Sequence, residues 1–369
     1  MGCVVSTALA VLVCKNKCDI DKLISSMAFH PPSPPSYKAE ENAEGTVELT
    51  FASPEIQQVH SAMRLRGLTI QVRLLRTSRK ETIPLFHYTV PGATTTLLWS
   101  HSNAMDCGEM YFFFAEVAAR LHVNIAAYDY SGYGAATGRP SEKNINADAL
   151  AVYEHLVASA GLVPQAQIVL YGQSIGSAPT LWLATKRPVA GVILHTPLLS
   201  GLRFMLPPSK GFCSPGGPCC GPLQTFALCD PFPNIKRIKK LKCPVLMMHG
   251  TADEIIDVSH TWRLHALLPK ANPRLFEPYI VQGAGHDNIV DADLDGYFAH
   301  LADFLRAVPA AAGPATPGSA AAASGRGNGP QSVPKGSSDT VRDWPAIPPV
   351  AEPQSSVLVE PEQPREDRA

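Results

Sequence analysis

Runs of consecutive apolar residues alternate along the chain with stretches whose apolar positions recur every three or four residues. TVELTF and LTIQVRLL read as early strands, followed by TTTLLWS, NIAAYDY, QIVLYG, VAGVILH, CPVLMMHG and PRLFEPYIVQG. Several are unbroken apolar runs, the pattern of strands covered on both faces. Helical periodicity fills the gaps. The segment from Asp106 opens with a D-x-x-E capping box to Glu109 and sets Met110, Phe113, Phe114, Val117 and Leu121 on one face. SEKNINADALAVYEHLVASAG begins after Pro140 with Ser141 as its cap and stops at Gly161, and a last helix carries Leu294, Phe298, Leu301 and Leu305. This alternation predicts an α/β fold in one domain: a mostly parallel, doubly wound sheet of about eight strands with helices on both faces, and sites at the C-terminal ends of the strands.

Composition marks the limits of that domain. It shifts in HPPSPPSYKAEENAEG and again after Val308, so the globular part is expected over residues 27–308. Residues 309–369 are Ala, Pro, Gly and Ser with scattered charges, too poor in large apolar side chains to offset the entropy of ordering, and are expected to be a disordered tail. With 369 residues, 45% hydrophobic and 17% charged, the chain can bury a sizeable core, and a net charge of -1 gives no reason to expect a nucleic-acid partner. The nine cysteines are odd in number and match no repeated C-x-x-C spacing, which argues against a disulfide framework and a standard zinc site.

Candidate chemistry begins at GQSIG, residues 172–176, which closes the strand QIVLYG and precedes the plausible helix SAPTLWLATK. In this strand, turn and helix setting, G-x-S-x-G holds a serine hydroxyl clear of the sheet, and Gly172 and Gly176 leave room for neighbours. Ser174 is the candidate nucleophile and the Ile175 N–H an oxyanion donor. A serine needs a base and a group to orient it. Asp253, directly after the strand VLMMHG, is the favoured acid, with Asp257 as rival inside the following helix; His286, in the glycine-flanked GAGHDN after the last strand, is the base. The order Ser, Asp, His is the order this fold uses. Other histidines, His249 and His195 at strand ends among them, read as structural. The second oxyanion donor is expected from Asn103 or Ala104 in LLWSHSNAMD, where His101-Ser102 replaces the commoner His-Gly.

The series FHPPSPPSY, HSNAMDCGEM, YDYSGYG with GRPSEKN, LYGQSIGS, ILHTPLLSGLR, DPFPNI, PVLMMHGTADEIIDVSH and VQGAGHDNI resembles, block by block, the α/β-hydrolase domain-containing protein 17 family of protein S-depalmitoylases, from about Met27 to about Leu305. The resemblance implies a cofactor-free palmitoyl-protein thioesterase acting on S-palmitoylated membrane proteins, with Ser174, Asp253 and His286 as its triad. It also implies a palmitoylated N-terminal cysteine cluster, although Cys3, Cys14 and Cys18 are more widely spread here. Residues 203–230 depart from the family as a Pro, Gly and Cys-rich insertion holding Cys213, Cys219, Cys220 and Cys229, which read as free thiols or further acylation sites, or as metal ligands although their spacing fits no zinc pattern. Phe204, Met205 and Leu206 are candidates for an acyl groove. A lipid esterase using the same triad and a non-catalytic membrane-tethered binding module are the competing readings.

The opening MGCVVSTALAVLVCKNKC, within residues 1–26, is too short an apolar run to span a bilayer, which takes about 18 to 20 residues. No positive charge precedes it, as a signal peptide would require. MGCVVS fits M-G-x-x-x-[ST], so Gly2 is expected to carry myristate, with Cys3, Cys14 and Cys18 as palmitate sites and Lys15 and Lys17 near anionic headgroups. One myristoyl chain binds only marginally, and stable attachment takes a second signal. The protein is thus expected to be peripheral on the cytosolic face of plasma or endosomal membranes.

Overall fold

The computed structural model describes residues 25–26, 28–63, 68–159, 161–162, 164–205, 230–269 and 276–308. Gly2, Cys3, Cys14, Cys18, Leu206, the four cysteines of the insertion and residues 309–369 lie outside them, as does the side chain of Met205. In chain order the elements are β1 (Tyr37–Glu41), β2 (Val47–Phe51), α1 (Pro54–Met63), β3 (Thr69–Arg76), β4 (Thr82–Thr89), β5 (Thr96–Ser100), α2 (Tyr111–Leu121), β6 (Asn124–Tyr128), α3 (Glu142–Ser159), α4 (Pro164–Gln167), β7 (Ile168–Gln173), α5 (Ser177–Ala184), β8 (Gly191–His195), α6 (Gly201–Met205), α7 (Asn234–Arg237), β9 (Val245–Gly250), α8 (Ser259–Ala266), β10 (Tyr279–Val281), α9 (Ile289–Ala292) and α10 (Leu294–Ala307).

Eight strands form the main sheet in the order β10-β9-β8-β7-β5-β6-β4-β3. Pairing is parallel from β6 across to β10 and antiparallel at β4 and β3. From β5 the chain crosses to β6 on one side and returns to β7 on the other. This reversal opens a crevice at the C-terminal ends of the central strands. Alternate residues of the buried strands feed two cores. Leu98, Leu170, Leu194 and Met247 meet Ile145, Ala149 and Val152 of α3 and Leu181 of α5 on one face; Trp99, Tyr171, Ile193 and Met248 meet Phe114 of α2 and Tyr297, Leu301 and Phe304 of α10 on the other. Among the described residues no helix is long and apolar enough to cross a membrane.

The doubly wound architecture expected from the pattern is present, with local corrections. TVELTF is not a sheet strand of the main body but half of a hairpin with Tyr37–Glu41. β4, TIPLFHYT, contains Pro84, which breaks the reading of a strand. Here the proline is tolerated because pairing with β6 starts only at Leu85, and the Pro84 carbonyl takes the N–H of Asp129 beyond the end of β6. The helix expected from Asp106 begins at Tyr111 instead. Asp106 does cap the N–H groups of Gly108 (3.0 Å) and Glu109 (3.2 Å), but residues 107–110 form turns flattened under Ser36 and Tyr37, where a Cβ on Gly108 would collide with both side chains. In α10 the buried stripe is Tyr297, Leu301 and Phe304; Leu294 is exposed, and the Phe298 ring lies under the Arg120 guanidinium at 4.9 Å.

The segment leading into β1 runs as a strap over the β5 end of the crevice. Ser36 donates its N–H to Asp106 Oδ2 (2.8 Å) and its hydroxyl to Oδ1, and the Tyr37 hydroxyl donates to buried Asp129 Oδ2. Asp129 Oδ1 takes the Cys107 N–H at 2.8 Å. Burial and the charge of Asp106 push Asp129 up to about 7 against these hydrogen bonds. The folded state therefore holds this proton more tightly than the unfolded chain. The stabilisation is complete below the ordinary carboxylate range and is lost as pH rises through about 7. Buried histidines away from Asp129, whose shifts have the opposite sign, cancel between wild type and variant; His101, whose Nε2 lies 3.4 Å from Asp129 Oδ1, is pushed down to about 4 by burial and stays neutral across this range. Urea unfolding at pH 5.5 and pH 8 is expected to show Asp129→Asn gaining stability relative to wild type as pH rises; a constant difference contradicts the assignment.

Candidate active site

At the end of β7 the chain turns at Ser174, which is buried and has φ 53, a left-handed conformation that a side chain adopts only under constraint. A short 3-10 turn over Ser174–Gly176 leads directly into α5. Space explains both flanking glycines. A Cβ on Gly172 would lie 2.5 Å from Thr180 Oγ1 and 2.7 Å from the Gly176 carbonyl, and one on Gly176 would collide with the carbonyl oxygens of Ser100 and His101. The turn is therefore wedged against the end of β5. Ile175 lies in the first turn of this helical run, so its N–H belongs to the set that has no preceding carbonyl to bond.

The turn is also braced from beneath. Ser177 Oγ donates to the Ser174 carbonyl (2.7 Å) and receives Asn234 Nδ2 (3.2 Å), which also reaches the Leu198 carbonyl (3.0 Å). Arg237 bonds the Ala178 carbonyl at 3.2 Å and pairs with Glu142 at 2.5 Å. Asn234 and Arg237 went unnoticed in the sequence because nothing near DPFPNI has catalytic chemistry; the block's place in the family series was the available signal.

The structure brings Ser174, His286 and Asp253 into one hydrogen-bonded chain. His286 Nε2 lies 2.9 Å from Ser174 Oγ, and His286 Nδ1 lies 2.7 Å from Asp253 Oδ2. Asp253 Oδ1 accepts the N–H groups of Ile255 (2.9 Å) and Ile256 (2.7 Å). Burial alone would raise the Asp253 pKa; hydrogen bonds from His249, His286 and the Ile256 N–H outweigh it and hold the carboxyl below the usual range. The acid remains ionised beside the imidazole. Asp257 is not inside the next helix: it sits in the turn before α8, where Oδ1 accepts the Ser259 N–H at 2.9 Å.

The loops carrying acid and base are tied together. The Ala252 N–H donates to the Ala284 carbonyl (2.9 Å), and Thr251 exchanges bonds with Val281 (3.0 Å) and Gly283 (2.8 Å). Gly250 faces the Ala284 carbonyl so closely that any Cβ would collide with it. His286 is thereby placed by contacts with the acid loop itself.

After β5, Asn103 and Ala104 occupy a turn, with Ala104 left-handed at φ 57. All three hydrogen bonds of the Asn103 side chain fix this turn. Its Oδ1 accepts the Tyr133 hydroxyl (2.6 Å) and the His30 N–H (2.9 Å), and its Nδ2 donates to the Ala28 carbonyl (2.9 Å). Phe29 packs edge-on to Tyr133 and Phe232. The strap thus holds the loop in which His101-Ser102 replaces the commoner His-Gly. His101 is buried, bonds the Ser102 carbonyl at 2.7 Å through Nδ1 and is pushed down to about 4 by burial.

The remaining expectations fall around this centre. His195 accepts or donates at the Tyr171 hydroxyl (2.8 Å), which also meets Tyr297 (2.9 Å); burial pushes His195 down to about 3, so it stays neutral. Phe204 is exposed, and Arg203 pairs with Asp230 at 2.5 Å, joining the two ends of the insertion. Among the described residues no group of three or more His, Cys, Asp or Glu could hold a metal ion.

These features agree with what the chain is similar to. Residues 133–309 match the model of the prolyl oligopeptidase family. The chain is 38% identical over 268 residues to the alpha/beta hydrolase domain-containing protein aho-3 of Caenorhabditis elegans, spanning 72% of this chain and 73% of that protein. It is 37% identical over 295 residues to alpha/beta hydrolase domain-containing protein 17C of Xenopus tropicalis, spanning 76% of this chain and 88% of that protein. Among solved structures, an esterase of Pyrococcus furiosus superposes with a TM-score of 0.54 at 14% identity, covering 76% of this chain and 98% of that one, a likeness of fold. With that fold, that coverage and these relatives, the chain is a hydrolase of the α/β type and belongs to the alpha/beta hydrolase domain-containing protein 17 family.

Proposed function

We propose that this protein is a serine thioesterase that removes palmitate from S-acylated cysteines of membrane proteins at the cytosolic leaflet. The observation that carries the reading is the chain of hydrogen bonds from Ser174 Oγ through His286 to Asp253. His286 Nε2 takes the hydroxyl proton as Ser174 Oγ attacks the thioester carbonyl carbon, and Asp253 keeps the imidazole in the required tautomer and stabilises its charged form. The N–H groups of Ile175 and of Asn103 or Ala104 receive the oxyanion of the tetrahedral intermediate. When that intermediate collapses the C–S bond breaks, and the leaving sulfur takes up from His286 the proton that came from Ser174 and departs as the thiol. A thiol of pKa about 8.5 leaves with less help from a general acid than an amine needs. Water, deprotonated by the same histidine, then attacks the acyl-serine, and the fatty acid leaves as Ser174 regains its proton.

Attachment to the membrane is assigned to residues 1–26. The N-terminal M-G-x-x-x-[ST] motif supports myristate on Gly2, and Cys3, Cys14 and Cys18 supply the second signal that stable binding needs. Such an anchor places the crevice on the leaflet that carries acylated cysteines.

Two outcomes test these assignments. In cells expressing Ser174→Ala, palmitate turnover on membrane-protein substrates is expected to fall to background, while purified wild-type enzyme cleaves S-palmitoyl peptides in preference to monoacylglycerols; unchanged turnover sinks the catalytic reading, and the reverse preference makes the protein a lipid esterase. Gly2→Ala is expected to move most of the protein from the membrane to the soluble fraction. A Gly2→Ala protein that stays on membranes removes the myristoyl part.

A further inference from the structure

His249 is the last side chain of β9 before Gly250, fully buried, and on sequence grounds it reads as a structural histidine. Its surroundings give it a more specific role. Nε2 lies 2.7 Å from the Ile256 carbonyl and 3.1 Å from Asp253 Oδ2, the oxygen that also holds His286 Nδ1. Nδ1 lies 2.7 Å from Thr261 Oγ1, which α8 presents from the other side and which is itself fully buried. Both neighbours of Nε2 are acceptors, so Nε2 carries the proton. A neutral ring then has its lone pair on Nδ1, and the Thr261 hydroxyl donates to it. One proton assignment thus satisfies every member from Thr261 to Asp253.

We infer that His249 is a positioning residue for the acid: it sets the Asp253 carboxylate so that Oδ2 faces His286, and it does so through a chain that runs Thr261, His249, Asp253, His286, Ser174. The inference rests on the hydrolase reading of Ser174 and His286 above. Two features separate this role from simple packing. The backbone N–H groups of Ile255 and Ile256 both go to Oδ1 and leave Oδ2 to be fixed from elsewhere. His249 supplies that contact, and by holding the Ile256 carbonyl it also fixes the loop that delivers the N–H groups to Oδ1. Without it, Asp253 keeps its charge but can rotate away from His286, and the imidazole loses the orientation that attack by Ser174 requires. The residue contacts neither substrate nor nucleophile, so its loss should affect turnover and leave substrate binding nearly unchanged.

The test uses the full chain, with p-nitrophenyl butyrate as the probe and the low-field proton resonance of the His286 Nδ1–H to Asp253 bond as the spectroscopic signature. His249→Leu is expected to lower kcat about 10- to 100-fold with KM within about twofold, and to abolish the low-field resonance. His249→Gln, which restores an N–H toward Asp253 and an acceptor toward Thr261, is expected to recover the resonance and most of kcat. Thr261→Val removes the group that orients His249 and is expected to lower kcat about three- to tenfold at constant KM; it carries the test if the leucine variant does not fold. Ser174→Ala run alongside separates the two levels. If Ser174→Ala hydrolyses the probe at the wild-type rate, the underlying hydrolase reading fails. If Ser174→Ala is inactive while the His249 and Thr261 variants keep wild-type kcat and resonance, the positioning role alone is overturned.

Discussion

A serine held at φ 53 between a buried strand and a buried helix imposes its geometry on everything around it. The turn closes only because Gly172 and Gly176 leave no Cβ between α5, β7 and the carbonyls of Ser100 and His101. That fit locks the ends of β5 and β7 together at the point where the sheet's connections reverse direction. The strain is sustained by a network that never touches the hydroxyl: Ser177 bonds the Ser174 carbonyl, Asn234 holds the Ser177 side chain, and Arg237 bonds the Ala178 carbonyl further along. Such a bend costs about 1 to 3 kcal/mol, and packing on both sides offsets it. The result is a hydroxyl aimed out of the sheet, with a helix N-terminus behind it.

The other parts of the site are placed by contacts between loops rather than by each loop alone. The acid loop after β9 and the base loop after β10 share backbone hydrogen bonds and the close approach at Gly250, so the placement of Asp253 fixes that of His286. On the far side, the strap of residues 28–37 grips the loop after β5 through Asn103, Asp106 and Asp129. This strap follows residues 1–26, where the anchor is proposed, and holds the turn after β5. The segment where the anchor is proposed and the strap are neighbours in the sequence.

Much of this was legible in the sequence, and the limits have physical causes. Unbroken apolar strands and the strand-to-helix setting of GQSIG made the doubly wound sheet and Ser174 readable, because burial on two faces and a crowded turn both restrict residue type. Asp253 was separable from Asp257 because strand ends deliver residues to the crevice. The start of α2 was misplaced because Asp106 does cap backbone groups, but those of a turn pinned under Ser36 and Tyr37, a tertiary contact that no local pattern carries. β4 was missed because Pro84 is excluded from strands only where its nitrogen meets a neighbour, and β6 ends before that point. The roles of Asn103, Asn234 and His249 arise from partners about 75, 36 and 12 residues away or closer in the fold than in the chain, so composition and periodicity are silent about them.

Attack by Ser174 in the proposed reaction leaves a covalent intermediate on a single oxygen. Wild-type enzyme mixed with an S-palmitoyl peptide, quenched in acid and analysed by intact mass and peptide mapping, is predicted to carry one palmitoyl group on the peptide containing Ser174. As an oxygen ester, that group should survive neutral hydroxylamine, which strips thioesters. Turnover of the peptide with no adduct on Ser174, or with the acyl group found only on a hydroxylamine-sensitive cysteine, would contradict the proposed reaction.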